Sequence, residues 1–280
     1  MRKLLSANFA RLGKSKVFWA MESVCLLTGV IFYFLFIINT RNIGESWLLH
    51  SANYYFFLFI IYVGIIMSIF TSVFIGTEYS DGTIRNKLSV GHCRRNIYLA
   101  NLLVVCAAGV LFCIPHIGAA FLMGIPLAGS GAVTALSAPV WRLGCCVLIV
   151  GVYAVVFGLI AMVDSNKTRS AIISMVLAFI LVLGGMYVYG SLQEPEFTSR
   201  MVMLEDGRFE LQENIPNSKY VSGMERTVYE WVDVSLPSSV AFHITARDGE
   251  FDWRMPLCLG GLSVLLSVAG INYFQKKDIR

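Results

Sequence analysis

The chain has 280 residues, of which 56% are hydrophobic and only 14% charged. That balance, with a mean hydropathy of +0.68, excludes an ordinary soluble domain, in which about a quarter of the residues carry charge. The formal charge of +4 excludes less, because the charges sit in separate stretches between long apolar runs; no nucleic-acid partner is expected.

Residues 1–16 carry Arg2, Lys3, Arg11, Lys14 and Lys16, with Leu4, Leu5, Phe9 and Leu12 between them. At 100° per residue Leu5, Phe9 and Leu12 share a face, which predicts an amphipathic helix lying on the inner leaflet. A cleavable signal peptide fits less well, since the following apolar run is too long and residues 37–41 lack a small-residue cleavage site. Residues 17–38 form the first predicted span. Glu22 lies inside it. A charge at a span's centre costs about 2.5–3.5 kcal/mol, less near the interface, so Glu22 is expected to face protein with a polar partner or to line a path. Residues 39–53 return the chain on the outer side.

Residues 56–75 form the second span, rich in phenylalanine, with Ser68, Thr71 and Ser72 at i, i+3 and i+4. That polar stripe reads either as close helix packing or as one wall of a substrate path. The next stretch, residues 76–95, is GTEYSDGTIRNKLSVGHCRR. Both flanking runs are long enough to cross a bilayer, so this connection lies on one membrane face. Arg85, Lys87, Arg94 and Arg95 place that face in the cytoplasm. Gly82 and Gly91 bracket a two-turn segment that predicts a short helix along the membrane surface. Glu78 is expected to close the second span and pair with a nearby base, Arg85 being the candidate. Arg94 and Arg95 are expected to anchor the third span at the headgroups, at about 1 kcal/mol each.

The third span, residues 97–123, contains Pro115-His116, which predicts a kink. His116 reads as a protonatable group or as a hydrogen-bonded core histidine. An uncharged outer loop, residues 124–140, precedes the fourth span at residues 141–163, where Gly144, Gly151 and Gly158 recur every seven residues and predict close approach of another helix. The short basic connection 164–169 returns to the cytoplasm; Asn166-Lys167-Thr168 matches a glycosylation sequon that has no meaning on that side. The fifth span is residues 170–189 and the sixth residues 255–274.

Between them, residues 190–253 form the one substantial polar segment, with acidic residues outnumbering basic ones by about two to one. Asp206-Gly207 suits a tight hairpin turn. Ser222 and Glu225 have capping-box spacing and open a segment in which Met224, Val228, Trp231 and Val232 share a helical face. Pro237 ends that helix or begins another, with Val240, Ala241 and Phe242 returning towards the membrane. The segment is expected to cap the exit, with Asp206, Gly207 and Trp231 as its marker residues; a merely decorative ectodomain is the alternative.

The predicted fold is an all-α polytopic membrane protein with six transmembrane helices and both termini inside. It divides into an amphipathic interfacial helix (1–16), helices one to five with the loop 76–95 (17–189), a small α+β extracellular segment (190–253), and the last helix with its tail (254–280).

Glu78-Tyr79, Gly82-Thr83-Ile84-Arg85, Gly91 and Arg94 resemble the first cytoplasmic loop of ABC-2-type exporter permeases. The order of features along nearly the whole chain is similar too. The resemblance implies that this loop carries a coupling helix that docks on a separate ATPase subunit, through Glu78, Tyr79, Gly82, Thr83, Ile84, Arg85, Lys87, Gly91 and Arg94. Residues 83–88 would supply the contact surface. It also implies a homodimer or heterodimer of permeases in a bacterial plasma membrane, with the second span lining a path between protomers; Glu22, Ser68, Thr71 and Ser72 are the path candidates.

The chain itself contains no GxxxxGK[ST] phosphate loop, no G-x-S-x-G elbow and no HExxH helix. No catalytic residue or bound cofactor is expected, and ATP with Mg would sit in the partner. No metal site is expected, because Cys145-Cys146 are adjacent and the histidines scattered, and no cysteine falls in the exported segment to suggest a disulfide framework. The aromatic second span and acidic outer segment lean towards an amphipathic substrate, an antimicrobial peptide or a drug-like compound. Two other classes remain: an intramembrane enzyme or sensor using Glu22, His116 and the outer segment, and an ion-coupled transporter. Against the last, the halves show no internal repeat.

Overall fold

Among the described residues of the computed structural model, six helices are long and apolar enough to cross a membrane: Lys16–Asn39, Tyr54–Ser80, Arg94–Met123, Val140–Val163, Lys167–Gln193 and Arg254–Lys276. The structure describes residues 1–40, 54–124, 140–203, 209–246 and 251–277. The loops expected at 39–53 and 124–140 lie largely outside the described residues, as do Asp206 and Gly207.

Helix α1 (Arg2–Lys14) buries Leu4, Asn8 and Leu12, one residue per turn, against the third span. The expected face Leu5, Phe9 and Leu12 is thus rotated: Phe9 is exposed, and the polar Asn8 is drawn inward by partners described below. Ser15 is extended and its Oγ accepts from Phe18 N at 3.3 Å, opening α2 (Lys16–Thr40).

Helices α3 (Phe59–Ser80), α5 (Arg94–Ala119) and α6 (Val140–Val163) form the centre. In its central window α3 is 72% buried, against 22% for α2 and 17% each for α7 (Lys167–Gln193) and α10 (Arg254–Lys276). Accordingly α2 packs on α5, α7 on α3, and α10 on α6. The helix ahead of α3 breaks at a turn on Leu58. His116 meets that break: its Nε2 donates to the Tyr55 carbonyl at 2.9 Å while Nδ1 accepts from Tyr62 Oη at 2.9 Å. It is therefore a hydrogen-bonded core histidine. Helix α5 runs through Pro115 and widens into a π turn at Ala120–Gly124.

The glycine stripe on α6 receives no helix among the described residues of this chain. A Cβ on Gly144 or Gly151 would meet nothing within 4 Å, and one on Gly158 only Leu102. The close approaches occur elsewhere: a Cβ on Gly76 would lie 2.8 Å from Lys167 Cα, where α3 passes the start of α7. Asn166 caps α7, its Oδ1 accepting from Thr168 N and Arg169 N, both at 3.0 Å. That local role accounts for the sequon-like triplet.

Beyond α7 come an antiparallel hairpin, β1 (Phe197–Met203) with β2 (Phe209–Pro216), and two short helices, α8 (Gly223–Ser235) and α9 (Pro237–Thr245). Ser222 occupies the N-cap of α8 but makes no capping hydrogen bond, so the expected capping box is not formed. The face carrying Met224, Val228, Trp231 and Val232 is exposed; the ends of the spans do not cover it. Proline at the first turn starts α9, which inserts between α7 and α6 with most of its residues buried. Gly185 lets it approach, since a Cβ there would lie 2.6 Å from Ser239 N. Asp233, itself buried, ties α8 to α9 by accepting from Ser239 Oγ and pairing with His243 Nε2 at 2.6 Å.

Candidate coupling segment

The connection between α3 and α5 is ordered throughout. After Asp81, Gly82 adopts φ +67° and opens α4 (Thr83–Ser89), a seven-residue helix. Gly91, at φ +90°, closes it: Gly91 N donates to Leu88 O at 2.9 Å and His92 N to Lys87 O at 3.1 Å. That pair of bonds is a Schellman motif, whose left-handed position glycine fills without steric cost. The two glycines that punctuate the sequence are thus the two residues the turn geometry requires.

Ile84 and Lys87, one turn apart, point into the protein; Arg85, Asn86, Ser89 and Val90 are exposed. Lys87 donates to Glu78 Oε1 and, at 2.9 Å, to Asn8 Oδ1. Arg11 Nη1 lies 2.6 Å from the same Glu78 oxygen. Asn101 Nδ2 donates to Glu78 Oε2 at 2.7 Å, and Asn8 Nδ2 donates to Asn101 Oδ1. The Arg11 guanidinium also covers the Phe74 ring at 3.8 Å. A fully buried carboxylate at the end of α3 therefore gathers side chains from α1, α4 and α5.

Burial pushes the Arg11 guanidinium and the Lys87 ammonium below their ordinary values, and the adjacent Glu78 carboxylate pushes both back up. Both Glu78 oxygens accept, whereas Arg11 Nε and Nη2 are buried without a hydrogen-bond partner among the described residues, so that cation is met by Glu78 on one side and by the Phe74 ring on its face.

The base that meets Glu78 is thus not Arg85. That residue sits on the opposite, exposed side of α4, because helical phase brings 84 and 87 inward together. For the same reason Ile84 and Lys87 do not belong to an outward contact surface. Arg94 departs from its expected lipid contact too: it donates to the carbonyls of Phe274, at 3.4 Å, and Lys277, at the end of α10. Arg95 is exposed. Tyr79 is half-buried and its Oη donates to Met162 O at 2.9 Å, at the end of α6.

The path candidates do not come together. Ser68, Thr71 and Ser72 are fully buried within the chain, Ser72 Oγ donating to Ser174 Oγ on α7 at 3.1 Å and Ser68 Oγ to Ile65 O at 2.7 Å. Their arrangement among the described residues is close helix packing. Glu22 is half-buried near Cys25 and Cys113, with no hydrogen bond or ion pair among the described residues, contrary to the polar partner expected for it. Trp231 is half exposed, with the Arg254 guanidinium 5.5 Å from its ring.

Four residues of the site escaped the sequence reading: Asn8, Arg11, Asn101 and Lys277. Two of them left a signal. Asn8 falls between Leu4 and Leu12 on a buried face, and Asn101 interrupts an apolar run; a polar residue at an apolar phase calls for a partner.

A bundle with six membrane-length helices and a short helix fixed beneath them defines a polytopic membrane protein. Residues 4–185 match the family model described as ABC-2 family transporter protein. The match takes in well over half of the chain, from α1 into α7, and the protein belongs to the ABC-2 transporter family. No curated protein matches the chain.

Proposed function

We propose that the chain is the membrane-spanning permease subunit of an ATP-driven exporter, with α4 as the coupling helix that a separate ATPase subunit presses on. ATP and Mg are bound by that partner, and the permease works as a homodimer or a heterodimer in a bacterial plasma membrane. The end carrying α1 and α4 faces the cytoplasm, which its concentration of lysine and arginine supports; the hairpin and α8–α9 then lie outside. The cargo is an amphipathic molecule, an antimicrobial peptide or a drug-like compound.

One observation carries this reading: α4 presents Arg85, Asn86, Ser89 and Val90 outward while Ile84 and Lys87 clamp it to the bundle. An exposed helix held by a buried charge cluster suits transmission of force better than display of a ligand. Co-purification in mild detergent should recover a phosphate-loop ATPase, and the pair reconstituted in liposomes should hydrolyse ATP faster than either alone. Arg85→Glu should leave membrane insertion intact but uncouple hydrolysis from uptake of a fluorescent cationic peptide into inside-out vesicles. Unchanged coupling in that variant removes α4 as the docking element.

A further inference from the structure

Where α6 ends, its last carbonyls have no helical partner. They are met by a side chain from the far end of the chain. Lys277 Nζ donates to Met162 O at 2.8 Å, to Val163 O at 3.0 Å and to Ser165 Oγ at 2.7 Å. An ammonium has three donors, and all three are used. The Tyr79 ring lies 4.6 Å from the same nitrogen, within cation–π range, and Tyr79 Oη occupies the remaining lone pair of Met162 O. A positive charge there also opposes the negative end of the α6 dipole.

We infer that the end of α6 is a receptor for a primary ammonium, filled by the chain's own Lys277, and that this occupancy holds Tyr79 and the α3–α4 turn against α6 and α10. The geometry selects the ligand class. Three acceptors converge on one point beside an aromatic face, which suits a compact tripodal donor and not the planar fork of a guanidinium. Burial lowers the Lys277 ammonium from its ordinary value and the nearby Asp164 carboxylate raises it again, so the site supplies a counter-charge. The Lys277 backbone is fixed from the other side, its carbonyl accepting from Arg94 at the start of α5.

Tyr79 follows Glu78 directly, so the receptor and the Glu78 cluster grip adjacent residues of α3. Lys277 is then a positioning residue for α4, acting through Tyr79. Its significance for transport rests on the coupling reading given above; the receptor itself does not.

The test uses the full chain in nanodiscs, with local amide hydrogen exchange and the melting temperature read together. Lys277→Ala should speed exchange across residues 76–92 and 162–166 by about tenfold, the factor one charge-assisted hydrogen bond contributes, with α8 and α9 unaffected. Ethylammonium in the buffer should restore slow exchange, whereas equal concentrations of tetramethylammonium or sodium chloride should not. Lys277→Met fills the space without charge, so it should show the same acceleration and resist rescue; it also serves if the alanine variant folds poorly. Unchanged exchange in either variant, or rescue by tetramethylammonium as good as by ethylammonium, overturns the inference. Failure of Arg85→Glu to uncouple would instead remove the docking reading and leave the ammonium receptor standing.

Discussion

Replacing Glu78 by glutamine keeps the shape of the side chain and removes its charge. Oε1 of Glu78 serves both Lys87 and Arg11, and Oε2 serves Asn101. A glutamine can keep the bond from Asn101 through its oxygen, but its amide then points two donors at two cations. Breaking a buried ion pair by deleting one partner costs about 3–5 kcal/mol. Here Lys87 retains some solvent, with a side-chain exposure of 12%, so part of that penalty is recovered by its hydration, whereas Arg11 Nε and Nη2 are buried without a partner among the described residues. We expect Glu78→Gln to destabilise by about 2–3 kcal/mol, with Lys87→Met alone costing less. In a double-mutant cycle the two should couple by about 1–2 kcal/mol. Reversible unfolding in mixed micelles, titrated with a denaturing detergent, measures all four corners. A loss below about 0.5 kcal/mol for Glu78→Gln, the range of a surface pair, would refute the buried cluster. So would a cycle in which Arg85→Met, and not Lys87→Met, couples to Glu78.

Three further expectations follow from the same geometry. Gly185→Ala should cost about 1–3 kcal/mol by overpacking against the α9 backbone, whereas Gly144→Ala, with open space around it, should be neutral or slightly stabilising through helix propensity; parallel melting curves of the two decide. Gly91→Ala places a Cβ at φ +90° and should cost about 1–2 kcal/mol, seen as faster exchange of the α4 amides. Asp164 is held below the usual carboxylate range, first by its hydrogen bond from Arg169. A depressed carboxyl contributes stability above its unfolded value, about 3.9, and loses it as pH falls through the folded one. The melting-temperature gap between the natural chain and Asp164→Asn should therefore be constant above about pH 5 and close on further acidification.

The spans were legible because their signal is a sum: some twenty apolar residues outweigh any single exception. The turn at Gly82 and Gly91 was legible for the opposite reason, since each glycine answers one steric requirement. Helix α9 was half legible, Pro237 marking its start and Val240–Phe242 its apolar return. Other features depended on phase and distance along the chain. Which base meets Glu78 turns on whether 85 or 87 faces inward, a rotation of about 200° between them on α4, and the buried Ile84 settles it. Arg11 lies 67 residues from Glu78, and Lys277 lies 115 residues from Met162, so nothing local marks them. The glycine stripe on α6 misled because small residues permit close approach without compelling it. The serines of α3 had two readings, and only the position of Ser174 on α7 separates them.

Helix α4 raises a question of origin that its own residues do not answer. Seven residues are too few to hold a helix in water, where even favourable sequences need about 12–15. Propensity therefore contributes little, and the Schellman turn at Gly91 fixes where the helix stops without fixing where it points. Direction comes from Ile84, buried in the bundle, and from Lys87, caught between Glu78 and Asn8. Apolar contact alone would let so short a helix roll about its axis, since hydrophobic burial is non-directional. The charged anchor removes that freedom, because a rotated Lys87 would leave the Glu78 carboxylate buried with one cation fewer. Such clusters are often no more stabilising than well-packed apolar residues of the same volume, so a gain in stability is not their physical distinction; fixed orientation is. Helix α4 consequently exists in its observed form only while α1, α3 and α5 hold it, and a push on Arg85 or Val90 is a push on all three.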